Sequence, residues 1–138
     1  EIIINFLDTI EKLVSEFPAI NQEKQRFGNT AFRSWYEAVE KLYEAELAPK
    51  LNLFYGEDKD FLLSNEIMPY LLECFGNSKR IDYGTGHELN FVFILIILLE
   101  VQWFKTEELQ KLIQIVFLLF LLVKVIIKIK IYIKSIRP

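Results

Sequence analysis

A chain of 138 residues, 25% charged, 52% hydrophobic and 14% aromatic, has the make-up of one small globular unit and excludes a disordered, collagen-like or disulfide-stapled protein. The net charge of -3 hides an asymmetry: all 19 acidic residues precede residue 111, and residues 111 to 138 carry six basic residues. The acidic balance up to residue 110 argues against a nucleic-acid partner. With Cys74 and His87 the only residues of their types, neither an internal disulfide nor a usual zinc cluster can form, and no metal site is predicted.

The opening residues are no secretion signal, because they begin on an acid and lack a basic leader, a short apolar centre and a small-residue cleavage site. With no export address visible, the cytoplasm is the default location, and the nucleus stays open beside it. Met68 is the only methionine, so the chain is expected to be a piece of a longer protein.

Ile3, Phe6, Leu7, Ile10, Leu13, Val14 and Phe17 fall on one stripe of a helix, opposite Asp8, Glu11, Lys12 and Glu16, and Pro18 closes it. A second helix is predicted from about Thr30 to Leu47, with Asn29 as its cap, Phe32, Trp35, Tyr36, Val39, Leu42 and Tyr43 facing inward, and Ala48-Pro49 as its end. Residues 55 to 60 read as a surface turn. A third helix fits residues 65 to 75; Pro69 sets its first turn or kinks it, and Gly76-Asn77 stops it. The next helix opens at Thr85-Gly86-His87-Glu88. Thr85 and Glu88 have the spacing of a capping box, which gives Glu88 a purely structural reading.

From Phe91 to Leu99 that helix is apolar on every face, which predicts burial between other helices. Thr106-Glu107-Glu108 marks a further helix start. The apolar run Ile115 to Val123 and its flanks approach the ~20 residues of a membrane span. Gln114 and Lys124 interrupt it, and a core helix is favoured over a membrane. Beyond Lys124, residues 128 to 134 alternate Lys and Ile with the period of a strand, so residues 124 to 138 stand apart as an atypical tail. Such a bias would arise if AT-rich noncoding sequence had been translated past an exon end. The predicted fold is an all-α helical bundle over residues 1 to 123, a partial domain.

Two segments concentrate glycine, aromatic and charged residues: Arg26 to Tyr36, and Cys74 to Asn90. Gly84-Thr85-Gly86 lets backbone approach a ligand closely, and the free amides of the helix start that follows can hold an anion or an amide carbonyl. No dinucleotide or phosphate-loop pattern surrounds them. Each candidate has a bland alternative. His87 can be a donor or proton shuttle at a cleft mouth, or a residue that packs and bonds locally. Arg80 and Asp82 can bind a ligand, or pair with each other. Trp35 and Tyr36 fit the core stripe, and Cys74 reads as a buried inert thiol.

At these two segments the sequence resembles the phosphotyrosyl phosphatase activator family, the protein phosphatase 2A activators. Arg26-Phe27-Gly28-Asn29, then Ala31-Phe32-Arg33 and Trp35, are similar to its first signature, and Phe75-Gly76-Asn77 with Arg80 through Asn90 to its second. The resemblance covers about residues 2 to 123. It implies an all-helical fold, activation of the catalytic subunit of type 2A protein phosphatases, and peptidyl-prolyl cis/trans isomerase activity on a proline-containing peptide. Isomerisation needs no cofactor. The resemblance also implies ATP with magnesium, in a site completed by the phosphatase partner.

The residues carried over are Asp82, Tyr83 and His87 for catalysis, and Arg26, Arg33, Arg80, Gly84, Thr85, Gly86 and Glu88 for peptide or partner binding. The family continues through a Pro-Ala-Gly-Ser-His-Gly-Val-Trp-Gly-Leu-Asp-Asp segment and further helices that the sequence does not contain, so a truncated member is expected.

Prolyl isomerisation requires no nucleophile, because its barrier is the ~18 to 20 kcal/mol of twisting an amide out of conjugation. Donors that bind the twisted amide better than the planar one lower it. His87 and Tyr83 are the expected donors, with Asp82 orienting either. The competing expectation is a noncatalytic or nonfunctional helical fragment that only binds partners, or self-associates through apolar surface left uncovered.

Overall fold

The computed structural model describes residues 1–20, 28–56, 58, 60–104 and 109–127. Helix α1 spans Ile2–Glu16 and buries Ile3, Phe6, Leu7, Ile10 and Val14, the stripe its spacing predicts. Helix α2, Ala31–Leu42, buries Phe32, Trp35 and Val39. Asn29 anchors its start: Oδ1 accepts from the amides of Ala31 (3.0 Å) and Ile20 (3.1 Å), and Nδ2 donates to the Ile20 carbonyl (2.7 Å). The cap falls one residue later than expected, at Thr30, and Asn29 instead fixes the approach of the preceding chain.

Ala48-Pro49 does not end this helix, contrary to the prediction. A π-helical stretch, Tyr43–Leu47, follows α2 and runs into α3, Ala48–Tyr55, with Pro49 in its first turn. The Ala48 amide bonds to the Tyr43 carbonyl five residues back. Pro49 therefore enters where the hydrogen-bond register resets, and its missing N–H costs little there. The Tyr43 hydroxyl donates to the Ser64 carbonyl (2.6 Å), and Asn52 Oδ1 accepts from the Ser64 amide (2.9 Å), which fixes the start of α4, Leu63–Cys74. Pro69 lies inside α4, with its ring on the exposed side.

Gly76 stops α4 with a φ of 118°, as its position predicts. Helix α5, Thr85–Glu100, packs back along α4, and α6, Leu109–Ile127, lies against α1. The rings of Phe91 and Phe120 stack at 3.9 Å with 3° between their planes. One turn away Glu88 meets Lys124, so α5 and α6 run antiparallel. Trp35, Phe75 and Phe120 form a continuous aromatic seam, with ring centroids 5.7 Å and 5.6 Å apart.

Helix α5 departs from its expected full burial. Phe91, Ile94, Leu95 and Leu98 are buried, whereas Leu89, Phe93 and Ile96 are 52%, 40% and 46% exposed. On α6, Ile115, Leu118, Leu122 and Val125 form a second exposed apolar row. An α-helix buries only the faces its neighbours reach, and the described helices cover one side of each. No helix among the described residues is long and apolar enough to cross a membrane. The predicted helix start at residues 106 to 108 and the alternating tail lie outside the described residues, and α6 continues through Lys124 without a break.

Candidate functional site

The link from α4 to α5 is a tight loop built by Asn77. Its Oδ1 accepts from the amides of Lys79 (3.1 Å) and Arg80 (2.9 Å), its backbone amide donates to the Asp82 carbonyl (3.0 Å), and its carbonyl accepts from the Ile81 amide (2.8 Å). Ile81 takes a φ of 54° and is 5% exposed. A β-branched residue is strained in that region, and burial of the side chain holds it there. From α2, Arg33 donates to the carbonyls of Ser78 (3.0 Å) and Lys79 (2.9 Å). Arg33 thereby fastens the loop from behind and does not line the cleft that the loop borders.

That cleft has a volume of about 380 Å³ and is lined by Glu73, Arg80, Asp82, Tyr83, Gly84, Gly86, His87 and Asn90. A side-chain carbon built on Gly84 or Gly86 would meet nothing within 4 Å, and neither has a left-handed φ. Nothing in the fold itself requires glycine at these two positions. What glycine does provide is an open backbone floor facing the cleft.

His87 anchors one wall. Its Nδ1 lies within hydrogen-bond distance of the Glu73 carbonyl at the end of α4, and 3.8 Å from the Glu73 carboxylate. A carbonyl only accepts, so Nδ1 carries the proton, and Nε2 is the ring nitrogen left for a ligand. Neutral, that nitrogen accepts; it donates to a carbonyl only when the ring is doubly protonated. Tyr83 packs on the imidazole with ring centroids 5.1 Å apart. Asn90 Nδ2 donates to the Gly86 carbonyl (3.0 Å) and steadies the first turn of α5.

Three expectations change on this geometry. The helix cap is Gly84, whose carbonyl accepts from the His87 amide (3.1 Å), so Glu88 lies one position too far along for a capping box; the Thr85 side chain lies outside the described residues. Glu88 instead turns to Lys124 and is absent from the cleft lining. Burial alone would raise its carboxyl, but the Lys124 hydrogen bond, a backbone amide, the Tyr83 hydroxyl and the Lys124 charge outweigh it and lower the pKa. The Tyr83 hydroxyl is buried on that side, so Tyr83 does not offer it to a ligand in the cleft as the donor reading requires.

Arg80 and Asp82 pair at 2.8 Å with side chains 70% and 51% exposed, the bland alternative for both, although each still borders the cleft. Arg26 lies outside the described residues. Cys74 is fully buried, its Sγ on the Leu71 carbonyl at 3.0 Å, and burial pushes its thiol well up, as an inert residue requires. Trp35 is core, and Tyr36 packs partly buried against Phe32. Sequence reasoning missed Glu73 and Lys124. The lysine left one signal: a cation inside an apolar helix needs a carboxylate partner.

Magnesium with a nucleotide is usually held by one or two carboxylates together with the phosphates, so it needs no cluster of protein ligands. No group of three or more His, Cys, Asp or Glu positioned to hold a metal occurs among the described residues, and the cation lining the cleft, Arg80, is already paired.

Fold and site together define an all-helical protein with a glycine-floored cleft beside His87. Residues 1–133 match the family described as Phosphotyrosyl phosphate activator (PTPA) protein, and the chain belongs to that family. It is 43% identical over 111 residues to a serine/threonine-protein phosphatase 2A activator of Drosophila melanogaster, covering 79% of this chain and 25% of that protein. It is 40% identical over 108 residues to serine/threonine-protein phosphatase 2A activator 2 of Schizosaccharomyces pombe, covering 78% of this chain and 29% of the relative. The chain thus spans between a quarter and a third of these relatives. The fold is similar to the crystal structure of the PP2A phosphatase activator Ypa1 PTPA1, with a TM-score of 0.65 and 23% identity over 94% of this chain and 41% of that one.

Proposed function

We propose that this chain carries the peptide-accepting cleft of a protein phosphatase 2A activator, and that the cleft receives a proline-containing segment. The observation that carries the reading is the pair of glycines, Gly84 and Gly86, opening onto the cleft beside His87 without any demand from backbone strain or packing. Such a floor accepts a peptide backbone at close range. His87, its tautomer set by Glu73, offers Nε2 to the peptide, and the doubly protonated ring can donate to a twisting amide. The names of the relatives support a type 2A protein phosphatase as the partner, and its catalytic subunit is the part we propose the cleft serves.

The test is binding of a capped Ala-Pro tetrapeptide and of the phosphatase catalytic subunit to this chain, with prolyl isomerisation measured alongside. Gly86→Val should abolish peptide binding while leaving helix content unchanged, and His87→Ala should slow isomerisation about 100-fold. Undiminished binding by Gly86→Val would overturn the reading.

The exposed apolar rows of α5 and α6 favour a second reading, in which the chain binds partners or itself without catalysis. Leu118→Lys should reduce concentration-dependent association in sedimentation and leave the cleft assays unaltered. A chain that associates but never accelerates isomerisation would fit this reading alone.

A further inference from the structure

We propose that Lys124, on α6, is a positioning residue for the cleft, acting through Tyr83 to set the orientation of His87. The proposal rests on the reading that the cleft is the working site. Lys124 lies in the last turn of α6, four residues after the buried Phe120, and its stem follows that buried stripe. Its ammonium reaches the first turn of α5, where it bonds Glu88 Oε1 and sits 4.8 Å from the centroid of the Tyr83 ring. The two side chains of the ion pair are only 21% and 26% exposed.

These contacts run on from one residue to the next. Lys124 makes a cation–π contact with the Tyr83 ring, Tyr83 lies beside the imidazole at 5.1 Å, and the imidazole Nδ1 is held by the Glu73 carbonyl. His87 is therefore clamped between the end of α4 and a ring that α6 supports. The stacked Phe91 and Phe120 set the register that brings Lys124 to this level. The favourable placement of Glu88 near the positive end of α5, and of Lys124 near the negative end of α6, adds to the pair. Neither residue lines the cleft, so the effect passes through Tyr83.

His87 is the only histidine, so its imidazole gives one set of NMR signals and reports the clamp directly. Lys124→Met should shift those signals and weaken binding of the capped Ala-Pro tetrapeptide about tenfold. Lys124→Arg, which keeps the charge and the contact with the ring, should restore both. Val123→Ala, one residue away and fully buried, should lower stability without moving either readout. Should Lys124→Met not fold, Glu88→Gln releases the same lysine from the other side and should shift the same signals.

Unchanged His87 signals in both Lys124→Met and Glu88→Gln would overturn the proposal, as would equal changes in Val123→Ala. If the wild-type chain binds no peptide, the reading of the cleft falls, while the His87 signals still decide whether Lys124 sets that ring.

Discussion

The triplet Phe-Gly-Asn occurs twice, at 27–29 and 75–77, and the two asparagines do different work. Asn29 is fully buried and spends its side chain on Ile20 and Ala31, joining the end of one segment to the start of α2. Asn77 is partly exposed and spends its side chain on the amides of Lys79 and Arg80, shaping a loop that borders the cleft. The same residue at the same local spacing is a fastener where the surroundings are dry and a loop former where they are wet. Burial decides which, because an amide side chain removed from a dry site strands its partners, whereas water replaces it at a wet one.

The contrast can be broken at three points. The largest effect is expected at Phe75, which ties the second triplet to the core: 2% exposed and packed on both Trp35 and Phe120, its replacement by Ala should cost about 3 to 5 kcal/mol in urea unfolding. Next, Asn29→Ala should cost about 3 kcal/mol, since it orphans the amides of Ile20 and Ala31 and the Ile20 carbonyl. Asn77→Ala should cost about 1 kcal/mol in the same assay and yet weaken peptide binding more than Asn29→Ala does. Equal stability losses at the two asparagines would refute the distinction.

The smallest effect is the acid limb. The Glu88 carboxyl is lowered below its ordinary 4.5 in the folded chain, so the unfolded chain binds its proton first as pH falls. Its stabilisation is present above pH 4.5 and is lost as pH falls through the folded value. In Glu88→Gln the urea midpoint should vary less with pH across that window. A slope identical to the wild type would show that the Lys124 pair contributes nothing there.

Much of the fold was legible from residue order. The α1 stripe, the buried face of α2 and Gly76 as the α4 stop follow from local rules of periodicity and chain reversal, which one segment obeys by itself, whereas the capping box expected at Thr85 gave way to Gly84 as the cap of α5. Pro49 was misread because a proline looks like a terminator unless the hydrogen-bond register shifts just before it. The site was legible as a segment, Arg80 to Asn90, but not as an arrangement.

The sequence by itself determined the inward stripes of α1 and α2 and the family, since these depend on spacing along the chain and on a long specific motif. Only the tertiary structure decided that the Tyr83 hydroxyl turns away from the cleft, that Arg33 fastens the loop from behind, and that Glu88 answers to Lys124, 36 residues later. The reason is physical. Charge pairing and ring packing act across space between helices whose relative register is set by buried contacts such as Phe91 on Phe120, and no local pattern encodes that register.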